Sequence, residues 1–535
     1  MAATLQTILL LLAVMVVVAV IARRLAIAPS ILLVVAGIAL ALIPGLPRIE
    51  LAPELVLLGI LPPLIYSAGV AMSWREFKFN LRPIALFAFG LVIFTAAAVA
   101  VAGYYLLGMP LAVGFVLGAI VSPTDAVAPL AVVRRLGLPR RLIVVLEGEG
   151  LANDATALIL YRFAVAAVGT GLFSLPTAAG EFALIVIGEI AYGIGVGWAS
   201  LRLRRWAGDP RVEITLSLMT PYLAFLVPQQ LGGSGVLAAV AAGLYVSWNG
   251  PLLIPAATRL QGIFFWDLLI YLLEGLLFLV TGMQLRTLID RSEPMLLHQL
   301  ALAVPLTVAV VVAARLIWVY PAALVPRWLS PSLRRRDPLP NWQFLFMLGF
   351  TGVRGVVSLA AALALPLTTS AGAPFPDRDL ILFVTFGVIV VTLIGEGVVL
   401  PSIVRWLALP RDADEERKHE NAAELKARLQ TLKVAESELE RLAADGDTDA
   451  TVLSLLQARQ DHRAQQLPHN ADDKEAVAAA LALRADLIKA EREYIYRLLQ
   501  QGQITDEARR RIERELDLEE ATITLKREDE EDPPL

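Results

Sequence analysis

Long apolar runs separated by short polar links fill the first three quarters of the chain. A helix needs about 20 apolar residues to cross the hydrocarbon core of a bilayer. Thirteen stretches are candidate spans: 4–22, 29–45, 52–72, 83–107, 111–133, 142–168, 177–201, 212–229, 233–248, 263–284, 296–325, 341–367 and 379–407. The weakest are 212–229 and 233–248, which Pro221, Pro228 and Gly232-Gly233-Ser234-Gly235 interrupt. Beyond residue 410 the pattern turns amphipathic. Runs 422–444, 452–466, 475–500 and 507–518 lack the unbroken apolar length of a span, and Asp445-Gly446-Asp447 and Leu467-Pro468-His469-Asn470 separate them. The fold expected is an all-α polytopic membrane protein of about 13 transmembrane helices, residues 1–410, followed by an acidic helical tail, residues 411–535.

Composition agrees. Of 535 residues, 57% are hydrophobic and 18% charged, with a mean hydropathy of +0.65, whereas soluble domains average about 25% charged. The body carries a net charge of +7 and the tail −11, the balance of a membrane body with a soluble appendage. Whether that appendage is simply solvated or has a regulatory or oligomer-stabilising role is open at this point. Cysteine is absent, which excludes disulfides and thiolate chemistry. His298 is the one histidine before residue 410, so a histidine-based zinc centre in the body is excluded as well.

Charge also orients the spans. Arg23 and Arg24 follow the apolar run 5–21, the reverse of a signal peptide, so this run is read as a retained first span. With thirteen spans, one set of alternate links holds 18 Lys and Arg, among them Arg82, Arg134, Arg135, Arg141 and Arg327. The other set holds 4, namely Arg48, Arg286, Arg291 and Arg378. Basic residues concentrate on the cytoplasmic side, which places the N-terminus outside and the tail in the cytoplasm.

Ionisable residues inside a span are costly and call for a partner or a purpose. The fifth span contains Ser122-Pro123-Thr124-Asp125 in mid-course. Proline removes a backbone donor, so the helix should break there and expose carbonyls and the Thr124 hydroxyl beside Asp125. Such hard oxygens suit an alkali cation or a water-filled cavity; a plain proline kink is the alternative. The sixth span carries Glu149-Gly150-Leu151-Ala152-Asn153-Asp154, in which Glu149 and Asn153 share a face and Asp154 is turned about 100° away. The twelfth reads Gly349-Phe350-Thr351-Gly352-Val353-Arg354-Gly355, implying unwinding, a second break, or close helix approach, with the Arg354 guanidinium committed to a carboxylate. Glu274 lies within the tenth span. Glu189 and Glu396 are weaker candidates, and Arg162 and Arg315 are read as snorkelling toward an interface. The fifth and twelfth spans run in opposite directions, so their breaks would cross near the midplane of two inverted halves, as in secondary transporters.

These motifs, in this order and spacing, resemble the sodium/proton exchangers of the monovalent cation:proton antiporter-1 family, bacterial members with long cytoplasmic tails in particular. Leu61-Pro62-Pro63-Leu64-Ile65-Tyr66 and Glu274-Gly275-Leu276-Leu277-Phe278 fit the same pattern, and the likeness covers about residues 5–408. The resemblance implies a homodimer in the plasma (inner) membrane, with no cofactor and no nucleic acid partner. It implies alternating access with Asp154 taking either a cation or a proton. Asp125, Thr124 and Asn153 would lie around that site, Na+ would sit at Asp154, Asp125 and Thr124, Glu149 would pair with Arg354, and Glu274 would be a nearby supporting residue. Two positions depart from relatives: Gly150 stands where some have serine, and Ser67 where some have an acid.

The function expected is secondary active, non-enzymatic, electroneutral one-for-one exchange of Na+, or of Li+ or K+, for H+, through one buried carboxylate for which the two ions compete. If the protein moves only when that group is occupied, exchange follows. K+/H+ antiport is the near alternative, and a cation channel or membrane-embedded sensor the alternative of another class. The antiparallel pair of breaks favours a transporter.

Overall fold

A chain whose apolar segments must satisfy their own backbone hydrogen bonds folds as helix. The computed structural model describes every residue except 1, 26, 45–50, 128, 131–137, 172–173, 292–293, 370–371, 408–411, 446–448, 466–470, 502 and 532–535. Among the described residues, pairing of extended chain is confined to one bridge, Thr368 with Pro374. The chain divides into two compact units, Met1–Leu409 and Pro410–Leu535.

In the first unit the helices are α1 (Ala2–Leu25), α2 (Pro29–Ala41), α3 (Leu61–Ala71, entered through a π-helical turn at Leu55–Ile60), α4 (Trp74–Phe79), α5 (Leu81–Ala85) and α6 (Val92–Leu107). They continue with α7 (Leu111–Val121), α8 (Arg140–Thr170), α9 (Leu175–Ala207), α10 (Pro210–Gln230), α11 (Val236–Leu253) and α12 (Ala256–Arg291). The last are α13 (Pro294–Leu329), α14 (Pro331–Arg336), α15 (Trp342–Phe350), α16 (Val356–Leu363) and α17 (Arg378–Leu407). Helix occupies part of each of the thirteen candidate stretches. Among the described residues, eight helices are long and apolar enough to span by length and composition, so the count of thirteen is not fixed by those criteria. The 212–229 and 233–248 stretches form two helices, α10 and α11, and α10 runs through both of its internal prolines. The end of the fifth stretch, Arg48, Arg134 and Arg135, and the tail turns at 446–447 and 467–470 lie outside the described residues.

Two groups of helices pack mainly among themselves. One joins α1, α2, α3, α9, α10, α11 and α12; the other joins α6, α7, α13, α15, α16 and α17. α8 touches both, resting on α6 and α7 on one side and on α3 and α11 on the other. Small residues allow the closest approaches, as in other membrane bundles. At Gly37 of α2, for example, a side chain would fall on the Leu279 carbonyl and the Gly282 Cα of α12.

Three arginines from three basic links converge on one carboxylate. Asp337 Oδ2 accepts from Arg82 Nη2 at 2.6 Å and Arg327 Nη2 at 2.9 Å, while Arg141 forks onto both oxygens at 2.9 and 3.1 Å. These links therefore share one end of the unit, as the alternation of basic loops requires. Partial burial works against the charged form of Asp337, but the hydrogen bonds from Arg141 and Arg82 and the nearby positive charges hold its carboxyl below the ordinary aspartate range.

The second unit holds α18 (Asp412–Asp445), α19 (Ala450–Gln465), α20 (Ala471–Gln500) and α21 (Asp506–Glu531). α18 packs on α19, and α20 on α21. The second pair buries Ile488, Ile495, Leu516 and Ile523 and is bordered by the Arg484–Glu519 fork at 2.7 and 2.8 Å.

Candidate functional site

Both expected breaks are present. α7 ends at Val121 and helix resumes at Val127; α15 ends at Phe350 and α16 begins at Val356. The two non-helical segments, 122–126 and 351–355, meet and bond: the Asp125 N–H donates to the Val353 carbonyl at 2.8 Å. Only glycine fits at the crossing, because a Cβ on Gly355 would lie 2.7 Å from the Asp125 Cβ and 2.9 Å from its Oδ2.

Unwinding a buried helix frees backbone groups that must find partners. The Val121 carbonyl accepts from Arg354 Nε at 3.1 Å, and the Gly352 carbonyl accepts from Arg354 Nη1. The Leu348 carbonyl accepts from Arg315 Nε at 3.1 Å. On the donor side, the Gly352 N–H reaches Glu396 Oε2 at 2.8 Å and the Arg354 N–H reaches Thr392 Oγ1 at 3.2 Å, both residues being on α17. Asp125 caps the resumed helix, its Oδ1 accepting from the Val127 N–H at 2.9 Å.

α8 lays its polar face on the first break. Glu149 is fully buried, its Oε1 accepting from the Thr124 hydroxyl at 2.7 Å. The Asn153 amide donates to the Thr124 carbonyl at 2.8 Å and to its hydroxyl at 3.1 Å. The Asn153 Oδ1 is buried with no partner. Gly150 sits against the Ala126 Cβ, so this face is tight at the break. Asp154 is half-buried and, among the described residues, makes no hydrogen bond or ion pair. It lies within electrostatic reach of Asp125, which is in turn within reach of Glu274 on α12. The expected residues thus gather at one place, with Thr124 as the joint between Glu149 and Asn153.

The expected Glu149–Arg354 pair is corrected. The Glu149 carboxylate is taken by Arg315 of α13, whose Nη1 and Nη2 fork onto its two oxygens, Nη2 to Oε2 at 2.9 Å. Among the described residues the Arg354 guanidinium hydrogen-bonds the carbonyls of both broken helices and no carboxylate, while Glu396 and Glu149 lie within electrostatic reach of it. Arg315 does not snorkel; it is 1% exposed. Its depth was the missed signal. It stands fourteen residues from the end of α13, about 21 Å at 1.5 Å per residue, beyond the reach of any side chain. Arg162 does not snorkel either, since its Nη1 donates to the Gly233 carbonyl at 2.5 Å. Glu189 is structural: from α9 it caps the start of α11, accepting from the N–H groups of Ser234, Gly235 and Leu237 at 2.5, 2.9 and 3.1 Å. The Ser67 hydroxyl turns away to the Leu64 carbonyl at 2.9 Å.

A family model described as sodium/hydrogen exchanger, transmembrane, matches residues 9–406. The chain belongs to the sodium/hydrogen exchanger family. Similar proteins include an uncharacterized Na+/H+ exchanger of Mycobacterium tuberculosis, 36% identical over 94% of this chain and 93% of that one. Another is the sodium, potassium, lithium and rubidium/H+ antiporter of Bacillus subtilis, 31% identical over 88% of this exchanger and 71% of the relative. The fold matches that of the sodium proton antiporter MjNhaP1 from Methanocaldococcus jannaschii with a TM-score of 0.59 at 19% identity, over 76% of this chain and 97% of that one. The exchanger is therefore a multi-pass membrane protein that exchanges cations for protons, a transporter and not an enzyme.

Proposed function

We propose that the exchanger is a secondary active Na+/H+ antiporter in which Na+ and H+ compete for Asp154. The observation that carries this reading is that Asp154, alone among the carboxylates of Glu149, Asp125 and Asp154 around the first break, has no partner among the described residues. Glu149 is neutralised by Arg315, and Asp125 is engaged as a helix cap. An ionised Asp154 would bind Na+ with help from the Asp125 charge and the free Asn153 Oδ1; a protonated one would not. Thr124 chiefly positions Asn153 and Glu149 and retains an oxygen lone pair for the cation. Glu274 approaches from the other helix group.

Exchange follows if the group holding both breaks moves against the α1–α3 and α9–α12 group only when Asp154 is occupied. The reading includes a homodimer in the plasma membrane with the N-terminus outside and the tail in the cytoplasm. K+ is a second substrate candidate, supported by the Bacillus subtilis relative, which is named as an antiporter of potassium as well as sodium.

The test is a panel of Na+, Li+ and K+ in proteoliposomes with an imposed pH gradient. Asp154→Asn should insert and keep its thermal stability in detergent, because no contact is lost, while cation-dependent proton movement disappears. Substantial exchange by the folded variant would overturn the assignment.

A further inference from the structure

A second buried oxygen, three residues along the chain from the crossing with Asp125, has no partner among the described residues. Ser358 is the third residue of α16 and Gly355 is the N-cap, and side-chain positions at an N-cap and the third helical residue face each other as in a capping box. The Gly355 position is the one that meets the Asp125 carboxylate. Ser358 is 1% exposed and its Oγ makes no hydrogen bond. Thr95, Thr258 and Thr385 are buried without a partner too, but other buried hydroxyls in the bundle bond the carbonyl four residues back. Thr281, Thr307 and Thr392 do so at 2.7, 2.7 and 2.8 Å. For Ser358 the carbonyl four residues back is that of Arg354, in the unwound segment, and no such bond forms. Leaving a buried polar group unpaired costs about 1–3 kcal/mol, so an orphan next to a charged site points to something that fills it.

Asn153 Oδ1 is the matching orphan on the other side. It is fixed through Thr124, the neighbour of Asp125, just as Ser358 is placed through Gly355. Gly150 has no side chain to contribute an oxygen, and the Ser67 hydroxyl donates to the Leu64 carbonyl. The site otherwise has charge and few neutral oxygens. A small alkali cation needs both, because its lost water ligands must be replaced by oxygens at close range.

We propose that the Ser358 hydroxyl is a further cation-positioning group, which together with Asn153 Oδ1 supplies the neutral oxygens that hold Na+ beside Asp154 and Asp125, directly or through one water. This rests on the reading of Asp154 as the exchanging carboxylate. Its consequence is specific. Ser358 governs how tightly Na+ and Li+ are held and their preference over K+, and leaves the proton step to Asp154.

The experiment measures cation-dependent proton flux in proteoliposomes for the full chain, Ser358→Ala, Ser358→Thr, Asp154→Asn and a control, Thr258→Val. Thr258 is also buried and unpartnered, but it stands sixteen residues from Glu274 along α12, about 24 Å away. Ser358→Ala should raise KM for Na+ about tenfold with kcat at saturating Na+ changed less than twofold. It should also weaken the rise in Tm that Na+ produces in detergent, without lowering Tm in Na+-free buffer. Ser358→Thr, which retains the hydroxyl, should restore part of the affinity, and Thr258→Val should leave KM unchanged. An unchanged KM for both Na+ and Li+ in Ser358→Ala, with Asp154→Asn inactive, would overturn this proposal alone. An active Asp154→Asn would overturn the assignment beneath it. A fall in Na+-free Tm with KM unaltered would make Ser358 merely structural.

Discussion

Arg315 and Glu149 form an ion pair with side-chain exposures of 1% and 2%. Two charges withdrawn from water are stable only while both remain, and breaking such a pair costs about 3–5 kcal/mol because one charge is left buried and bare. Arg315→Ala should therefore lower the thermal stability of the detergent-solubilised protein by an amount in that range. It would release Glu149 and the Leu348 carbonyl together. Arg315→Lys should recover part of the loss, since a single ammonium lacks the planar fork that serves both carboxylate oxygens and the carbonyl. A wild-type melting temperature in Arg315→Ala would show that Glu149 is neutralised by some other group. Thr124, bonded to Glu149, would shift with it, so a fall in transport is expected even where the variant still inserts.

At the scale of elements, the broken helices work because their freed backbone is satisfied from outside. Arg354 holds two carbonyls, Glu396 and Thr392 hold two N–H groups, and Asp125 caps its own continuation. The helix ends at the basic links are tied by Asp337, which joins the Arg82 segment, the start of α8 and the end of α13. Its folded-state pKa is depressed, so its stabilisation is fully present above the ordinary aspartate pKa of about 3.9. That contribution is lost as pH falls through the lower, folded value. Asp337→Asn should accordingly cost about 1–2 kcal/mol at neutral pH, discounted from the usual worth of charged hydrogen bonds for partial exposure. The difference in Tm from the full-length wild type should be flat from pH 6 to 8 and shrink only in strong acid. A difference that changes between pH 6 and 8 would mean that Asp337 titrates there.

For the whole molecule the question is how much charge crosses per cycle. Asn153 supplies an oxygen but no titratable charge, and Asp125 is occupied as a helix cap, so Asp154 alone is proposed to exchange. One H+ for one Na+ then moves no net charge. The membrane potential, worth about 2.3 kcal/mol per charge per 100 mV, would have no purchase on the cycle. With the potential clamped by a potassium ionophore and a fixed Na+ gradient, proton flux should keep its direction at every voltage. Reversal of the flux with voltage would rule out the one-for-one cycle. Asn153→Asp, which adds a second carboxylate, should make the flux voltage-sensitive if it retains transport.

Much of this molecule is legible along the chain. Apolar length marks the helices. Ser122-Pro123-Thr124-Asp125 and the glycines around Arg354 mark the breaks, because a proline or an unpaired polar run cannot continue a buried helix without help. The α8 cluster also declares itself locally, since Glu149, Asn153 and Asp154 are related by helical geometry alone. What the chain could not show is which partner each charge chooses. Arg315 and Arg354 are both intramembrane arginines in the same group of helices, and Glu149 lies far from either in sequence. Only the packing of α13 against α6, and of α8 beside it, brings Arg315 to the carboxylate and leaves Arg354 to the carbonyls. Local pattern determines where a helix forms or fails, because those forces act within a few residues. The pairing of buried charges depends on distances between helices, and these exist only once the bundle has closed.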